Sequence, residues 1–127
     1  MTRFLIVAAG GALGAVARYG VARLVPSTGW PWATLTTNVV GGLLMGALVG
    51  WLAFRGGLHS ESLRLFAAMG VLGGFTTFSA FSLETALMIE RREFALAAGY
   101  VAASVVLSIA ALFIGLMVAR RAFGAAL

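Results

Sequence analysis

The stretch Gly70-Val71-Leu72-Gly73-Gly74-Phe75-Thr76-Thr77-Phe78-Ser79-Ala80-Phe81 decides the fold. It is apolar enough for a hydrocarbon interior, yet three glycines, a β-branched pair and three closely spaced phenylalanines make it a poor continuous helix. The reading is a helix over about 62–90 that is broken at 73–77, near mid-membrane. A break there frees backbone carbonyls, which must be buried in protein or bind something. Oxygens from an unwound segment at that depth would suit a cation.

Working outward, the rest of the chain has the same character. Of 127 residues 61% are apolar and 10% charged, whereas a soluble domain carries roughly 25% charged residues. The charges leave uncharged runs at 4–17, 24–54, 65–83 and 94–119. Hydrocarbon about 30 Å thick needs about 20 helical residues, so these runs supply four crossings. The predicted helices cover about 4–22, 33–54, 62–90 and 94–121, within a single domain over 1–127. Secretory cleavage after the first apolar run would remove a helix the others need, so that run is read as a span.

Connections and charges fit this plan. Val25-Pro26-Ser27-Thr28-Gly29-Trp30-Pro31-Trp32 reads as an interfacial loop with a tryptophan anchor, and Gly56-Gly57 with His59 as the next turn, Ser60 capping the third helix. Net charge is +5, all from Arg, and the pairs Arg91-Arg92 and Arg120-Arg121 sit at the ends of apolar runs, where headgroups rather than nucleic acid are the natural partner. Four crossings put Arg3, Arg55, Arg64, Arg120 and Arg121 on one side and Arg18, Arg23, Arg91 and Arg92 on the other. Such weak bias lets a chain insert both ways, and the expectation is a dual-topology protein pairing as an antiparallel homodimer.

Enzyme chemistry is not expected. There is one His, no Asp, no Lys and no Cys, and the four Glu are Glu61, Glu84, Glu90 and Glu93. Neither a catalytic triad nor a metal-binding cluster of side chains can be drawn from them. What remains is a sparse set of polar groups inside apolar helices, where burial is costly and marks a pathway. Asn38 lies one turn from Thr34 and shares its face with Gly42, Gly46 and Gly50; Tyr100, Ser104 and Ser108 succeed each other at i+4. Any one of these could simply bond across an interface or back to its own helix. Phe78 and Phe81 are neighbours on one helical face, and the positive edges of their rings can favour an anion without trapping it. Glu84 is either a vestibule group or the partner of an Arg.

Three motifs resemble those of the Fluc (CrcB-type) fluoride channels: Gly10-Gly11-x2-Gly14-Ala15-x2-Arg18-Tyr19, Thr34-Leu35-x2-Asn38-x2-Gly41, and the Gly70 to Phe81 stretch. They occur in order and span essentially the whole chain. The resemblance implies an all-α membrane protein of four transmembrane helices per subunit, an antiparallel dual-topology homodimer in the bacterial inner membrane, and two pores that export fluoride passively and so reduce its toxicity. It also implies a central structural sodium ion held by the carbonyls of Gly73 and Thr76. Phe78 and Phe81 would line the fluoride path, Asn38 would donate to the anion, and Arg18 would sit near an aqueous vestibule. Thr34, Tyr100, Ser104 and Ser108 would form the polar side of the path, with Glu84 as a polar group near one end. Ala80 departs from the family, which commonly has Thr there.

The rival class is a small multidrug resistance-type proton-coupled transporter, also four short helices. It needs a membrane-embedded carboxylate, normally in the first helix, and helix one here has no acid. A non-conducting assembly subunit packed through Gly and Ala faces is a third class.

Overall fold

The computed structural model describes residues 1–26, 29–55 and 60–124, and all regular structure among them is helical. Helix α1 covers Thr2–Leu24 and α2 Trp32–Arg55. The third crossing is composite: α3 (Ser60–Arg64), a wider π-helical stretch Leu65–Leu72, α4 (Gly73–Phe75) and α5 (Phe78–Glu90). Helix α6 runs over Phe94–Ala119 and continues as a π-helical turn, Arg120–Gly124. The turn expected at Gly56-Gly57 with His59 lies outside the described residues, as do Ser27, Thr28 and the side chain of Ser60.

Four stretches are long and apolar enough to cross a membrane: Thr2–Leu24, Trp32–Ala53, Glu61–Glu90 and Phe94–Ala122. Each meets the length of about 20 residues that a bilayer's hydrocarbon demands. Their outward faces keep Leu13, Val16, Phe113, Ile114 and Met117 exposed, as suits contact with lipid tails.

The helices associate as two close pairs, and small residues set both seams. Helix α1 lies against the third crossing so tightly that a Cβ on Gly14 would stand 2.0 Å from the Val71 carbonyl oxygen. Helix α2 meets α6 at Gly46 and Gly115, where a Cβ would come within 2.0 Å of the Leu112 oxygen and 2.2 Å of the Leu43 oxygen. Without a hydrophobic drive between helices in lipid, such backbone-to-backbone approach supplies the packing attraction. The Gly42, Gly46 and Gly50 face of α2 is thus taken up by α6.

Between α5 and α6 the chain turns through Arg92 at φ 61°, with Glu93 N–H donating to the Met88 carbonyl (2.9 Å) and Arg92 N–H to that of Ile89 (3.0 Å). This is a Schellman-type stop with Arg where glycine is usual. A small core of Leu35, Met88, Ala97 and Tyr100, with Trp30, Val39 and Phe81 against it, fixes α2, α5 and α6 at this end.

Candidate functional site

Gly73 and Gly74 remain helical, whereas Thr76 (φ −80°, ψ 158°) and Thr77 (φ −150°, ψ 118°) are extended. Backbone groups at these two residues therefore need partners from elsewhere. Asn38 on α2 serves Thr77 twice: its Oδ1 accepts from Thr77 N–H (2.8 Å) and its Nδ2 donates to the Thr77 carbonyl (3.1 Å). The Thr77 hydroxyl caps α5 by accepting from Ala80 N–H at 3.1 Å. Thr76 turns back, its N–H and hydroxyl both donating to the Leu72 carbonyl at 3.0 Å. Arg18 on α1 donates through Nε to the Gly74 carbonyl at 3.2 Å. Among the described residues, no donor from outside the helix reaches the carbonyls of Gly73 and Thr76.

One turn into α5 the two phenylalanines come together. Phe78 and Phe81 have ring centroids 5.5 Å apart at 48°, and Phe81 lies 5.2 Å from the ring of Tyr100. Phe78 is 78% exposed and stands at the edge of an open groove of about 440 Å³. That groove is lined by Thr76, Thr77, Phe78 and Phe81 together with Asn38, Gly41, Gly42, Ser104 and Ser108, and by the apolar side chains of Met45, Val105, Ile109 and Leu112. Two phenylalanine rings and small polar groups therefore line one cavity.

The serines do not bond back to α6. Ser104 Oγ is buried one turn from Tyr100 and makes no hydrogen bond of acceptable geometry among the described residues, although the Tyr100 hydroxyl lies within its reach. Thr37 and Thr85 do bond back, to the Ala33 and Phe81 carbonyls at 2.8 Å, so the serines differ in kind from these threonines.

Beyond Phe81, Glu84 ties three helices together. Thr34 Oγ1 donates to its Oε1 at 2.5 Å and Tyr100 Oη to its Oε2 at 3.2 Å. Tyr100 is wholly buried. Glu84 takes hydroxyl donors, and the ion pairs among the described residues, Arg3 with Glu61 and Arg91 with Glu93, do not include it. Thr34, Asn38, Phe78, Phe81, Glu84, Tyr100, Ser104 and Ser108 thus form one continuous constellation, while Arg18, Gly73 and Thr76 sit at its inner end around the extended threonines.

Sequence reasoning missed Trp30. The anchor reading suits Trp32, which is 51% exposed, but Trp30 turns inward and sets its ring edge-on to Tyr100 at 5.7 Å and 83°. No signal in the sequence separated the two, and their rings stay adjacent, with centroids 5.8 Å apart.

The chain is similar to known proteins along nearly its whole length. Residues 5–116 match the family described as CrcB-like protein, Camphor Resistance (CrcB). The chain is similar to the fluoride-specific ion channel FluC of Caulobacter vibrioides (strain NA1000 / CB15N), 60% identical over 126 residues, covering 97% of this chain and 99% of the relative. FluC of Phenylobacterium zucineum (strain HLK1) is 56% identical over 126 residues with 97% and 99% covered, and that of Novosphingobium aromaticivorans 54% over 125 residues with 94% and 98% covered.

Proposed function

The chain belongs to the CrcB family, and on that premise we propose that it is a fluoride-selective channel letting cytoplasmic fluoride leave the cell passively. With four apolar spans and bacterial relatives along nearly its full length, it is a multi-pass bacterial membrane protein and not an enzyme. The observation that carries the channel reading is the groove that Phe78 and Phe81 line together with Asn38, Ser104 and Ser108. It offers hydroxyl and amide donors and ring edges, but no fixed positive charge that would hold an anion.

Fluoride is compact and strongly hydrated, so a path must replace its water with closely set donors while its girth and field exclude chloride. Asn38 has two amide hydrogens, and Thr77 takes one of them. The second is the donor we assign to fluoride, held in place by the bidentate pairing. Ser108 and Ser104 continue the donor series, while the Tyr100 and Thr34 hydroxyls, each giving its one hydrogen to Glu84, form a polar wall at one end. Arg18 serves the inner vestibule while fixing the Gly74 carbonyl. Export needs no energy input if the anion forms from HF that has entered and dissociated, because the membrane potential then drives it out.

The finer architecture belongs to the same proposal: a third helix broken near mid-membrane, an antiparallel dual-topology homodimer in the inner membrane, and two pores. The carbonyls of Gly73 and Thr76 fit a structural sodium ion, being hard oxygen donors not engaged from outside their helix, and the same pair from a second subunit would complete the site. Sodium would supply a central positive charge that fastens the two subunits.

Purified protein reconstituted in liposomes tests this reading. Fluoride efflux without chloride efflux is expected, together with a C-terminal tag found on both membrane faces. Vesicles that hold fluoride while the protein stays assembled would refute it.

A further inference from the structure

We infer that Trp30 is a further lining residue of the fluoride path, its indole N–H a donor station at the mouth, outside Tyr100. This rests on the channel reading above. The indole Nε1 is buried and has no hydrogen-bond partner among the described residues. Interiors seldom keep such a donor idle, and an interfacial anchor would turn its N–H outward to water or headgroups. Trp30 instead stands edge-on to Tyr100, and its six-membered ring packs over Gly99, where a Cβ would come 3.6 Å from Cη2. Trp30, Tyr100, Phe81 and Phe78 thereby form one file of rings at centroid steps of 5.7, 5.2 and 5.5 Å. The aromatic side of the path is thus one residue longer than the two phenylalanines and tyrosine.

Trp30 also borders a second cavity, of about 430 Å³, together with Pro31, Glu84, Met88, Arg91 and Glu93. The carboxylates there already have donors: Glu84 takes the hydroxyls of Thr34 and Tyr100, and Glu93 takes Arg91 Nε at 2.6 Å. The indole is the donor still without an acceptor. A small turn of the indole would bring that N–H into this cavity, where a small anion would meet it beside the Glu84 network with Tyr100 and Thr34. The nearby Glu84 and Glu93 charges keep such a station weak, as conduction requires, while Arg91 offsets them at the rim.

Indole-¹⁵N-labelled protein, assembled in detergent, is titrated with NaF and, at equal ionic strength, with NaCl. The Trp30 indole resonance is identified as the one that remains in both Trp32→Phe and Trp51→Phe. We expect it to move downfield with fluoride and not with chloride. We also expect Trp30→Phe, which keeps an aromatic ring and loses the donor, to lower fluoride efflux at least about tenfold, the scale of a lost charge-assisted hydrogen bond. An unmoved resonance, an equal response to chloride, or full efflux from the assembled variant would overturn the inference and leave water as the acceptor. If Trp30→Phe does not assemble, the titration of the native protein decides alone. A native protein that releases no fluoride refutes the channel reading itself, a different failure from native efflux unaffected by Trp30→Phe.

Discussion

The side-chain amide of Asn38 pairs with both backbone groups of Thr77, accepting at 2.8 Å and donating at 3.1 Å. A side chain on α2 thereby replaces what a neighbouring strand would supply to an extended residue. The pairing makes Asn38 structural, and on the proposed channel reading it also aims the remaining N–H at the anion.

Asn38→Asp separates these duties. A carboxylate still accepts from Thr77 N–H but faces the Thr77 carbonyl with no hydrogen to offer, at a cost of about 1–3 kcal/mol. It also sets a negative charge on the anion route. Fluoride efflux is expected to fall by more than about tenfold, since 1.4 kcal/mol is one decade in rate. A variant with native efflux would mean that Asn38 serves packing alone.

Phe81→Ile keeps much of the volume and removes the ring edge. Because Phe81 bridges Phe78 and Tyr100, its loss opens the file at its middle step. Ring interactions of this kind contribute about 0.5–1.5 kcal/mol, so efflux should drop about threefold to tenfold with the elution volume on size exclusion unchanged. Unchanged efflux would argue against ring edges as anion contacts.

Gly14→Ala tests the α1 seam. Its Cβ would fall 2.0 Å from the Val71 oxygen and 2.8 Å from Phe75 N, backbone atoms that cannot rotate away. Overpacking of this sort costs about 1–3 kcal/mol, and thermal stability in detergent should fall accordingly. The contrasting change is Gly11→Ala, whose Cβ meets nothing within 4 Å in the subunit.

Arg92→Gly acts in the opposite direction. Arg92 holds φ at 61° in the stop after α5, a conformation that costs a side-chain-bearing residue about 1–2 kcal/mol. Glycine should raise the melting temperature or leave it unchanged. A clear decrease would show that the Arg92 side chain makes a stabilising contact, with headgroups as the natural partner.

How far the sequence could be read depends on the kind of interaction that made each feature. Four crossings were legible because hydrocarbon thickness demands a run length that the charge-free stretches supply without reference to any neighbour. The small-residue faces around Gly10, Gly14 and Gly46 were legible as faces, because helical periodicity fixes which residues share one. Which helix each would meet was not, because the same motif suits any close neighbour; tertiary packing gave α1 to the third crossing and α2 to α6.

The candidate site divides in the same way. Composition and spacing singled out Asn38, Thr34, Glu84, Tyr100, Ser104 and Ser108 as polar groups that are costly inside apolar helices, and Phe78 and Phe81 as ring neighbours on one face, without deciding which of them only bond or pack between helices. The sequence left open whether Glu84 pairs with an arginine or with hydroxyls, and it cast Trp30 as a surface anchor. Those outcomes depend on contacts between residues 16 to 70 positions apart, from Glu84 with Tyr100 to Trp30 with Tyr100. Local pattern fixes what each helix can offer; only the folded arrangement decides which donor meets which acceptor, because hydrogen bonds and ring contacts are short-ranged and directional.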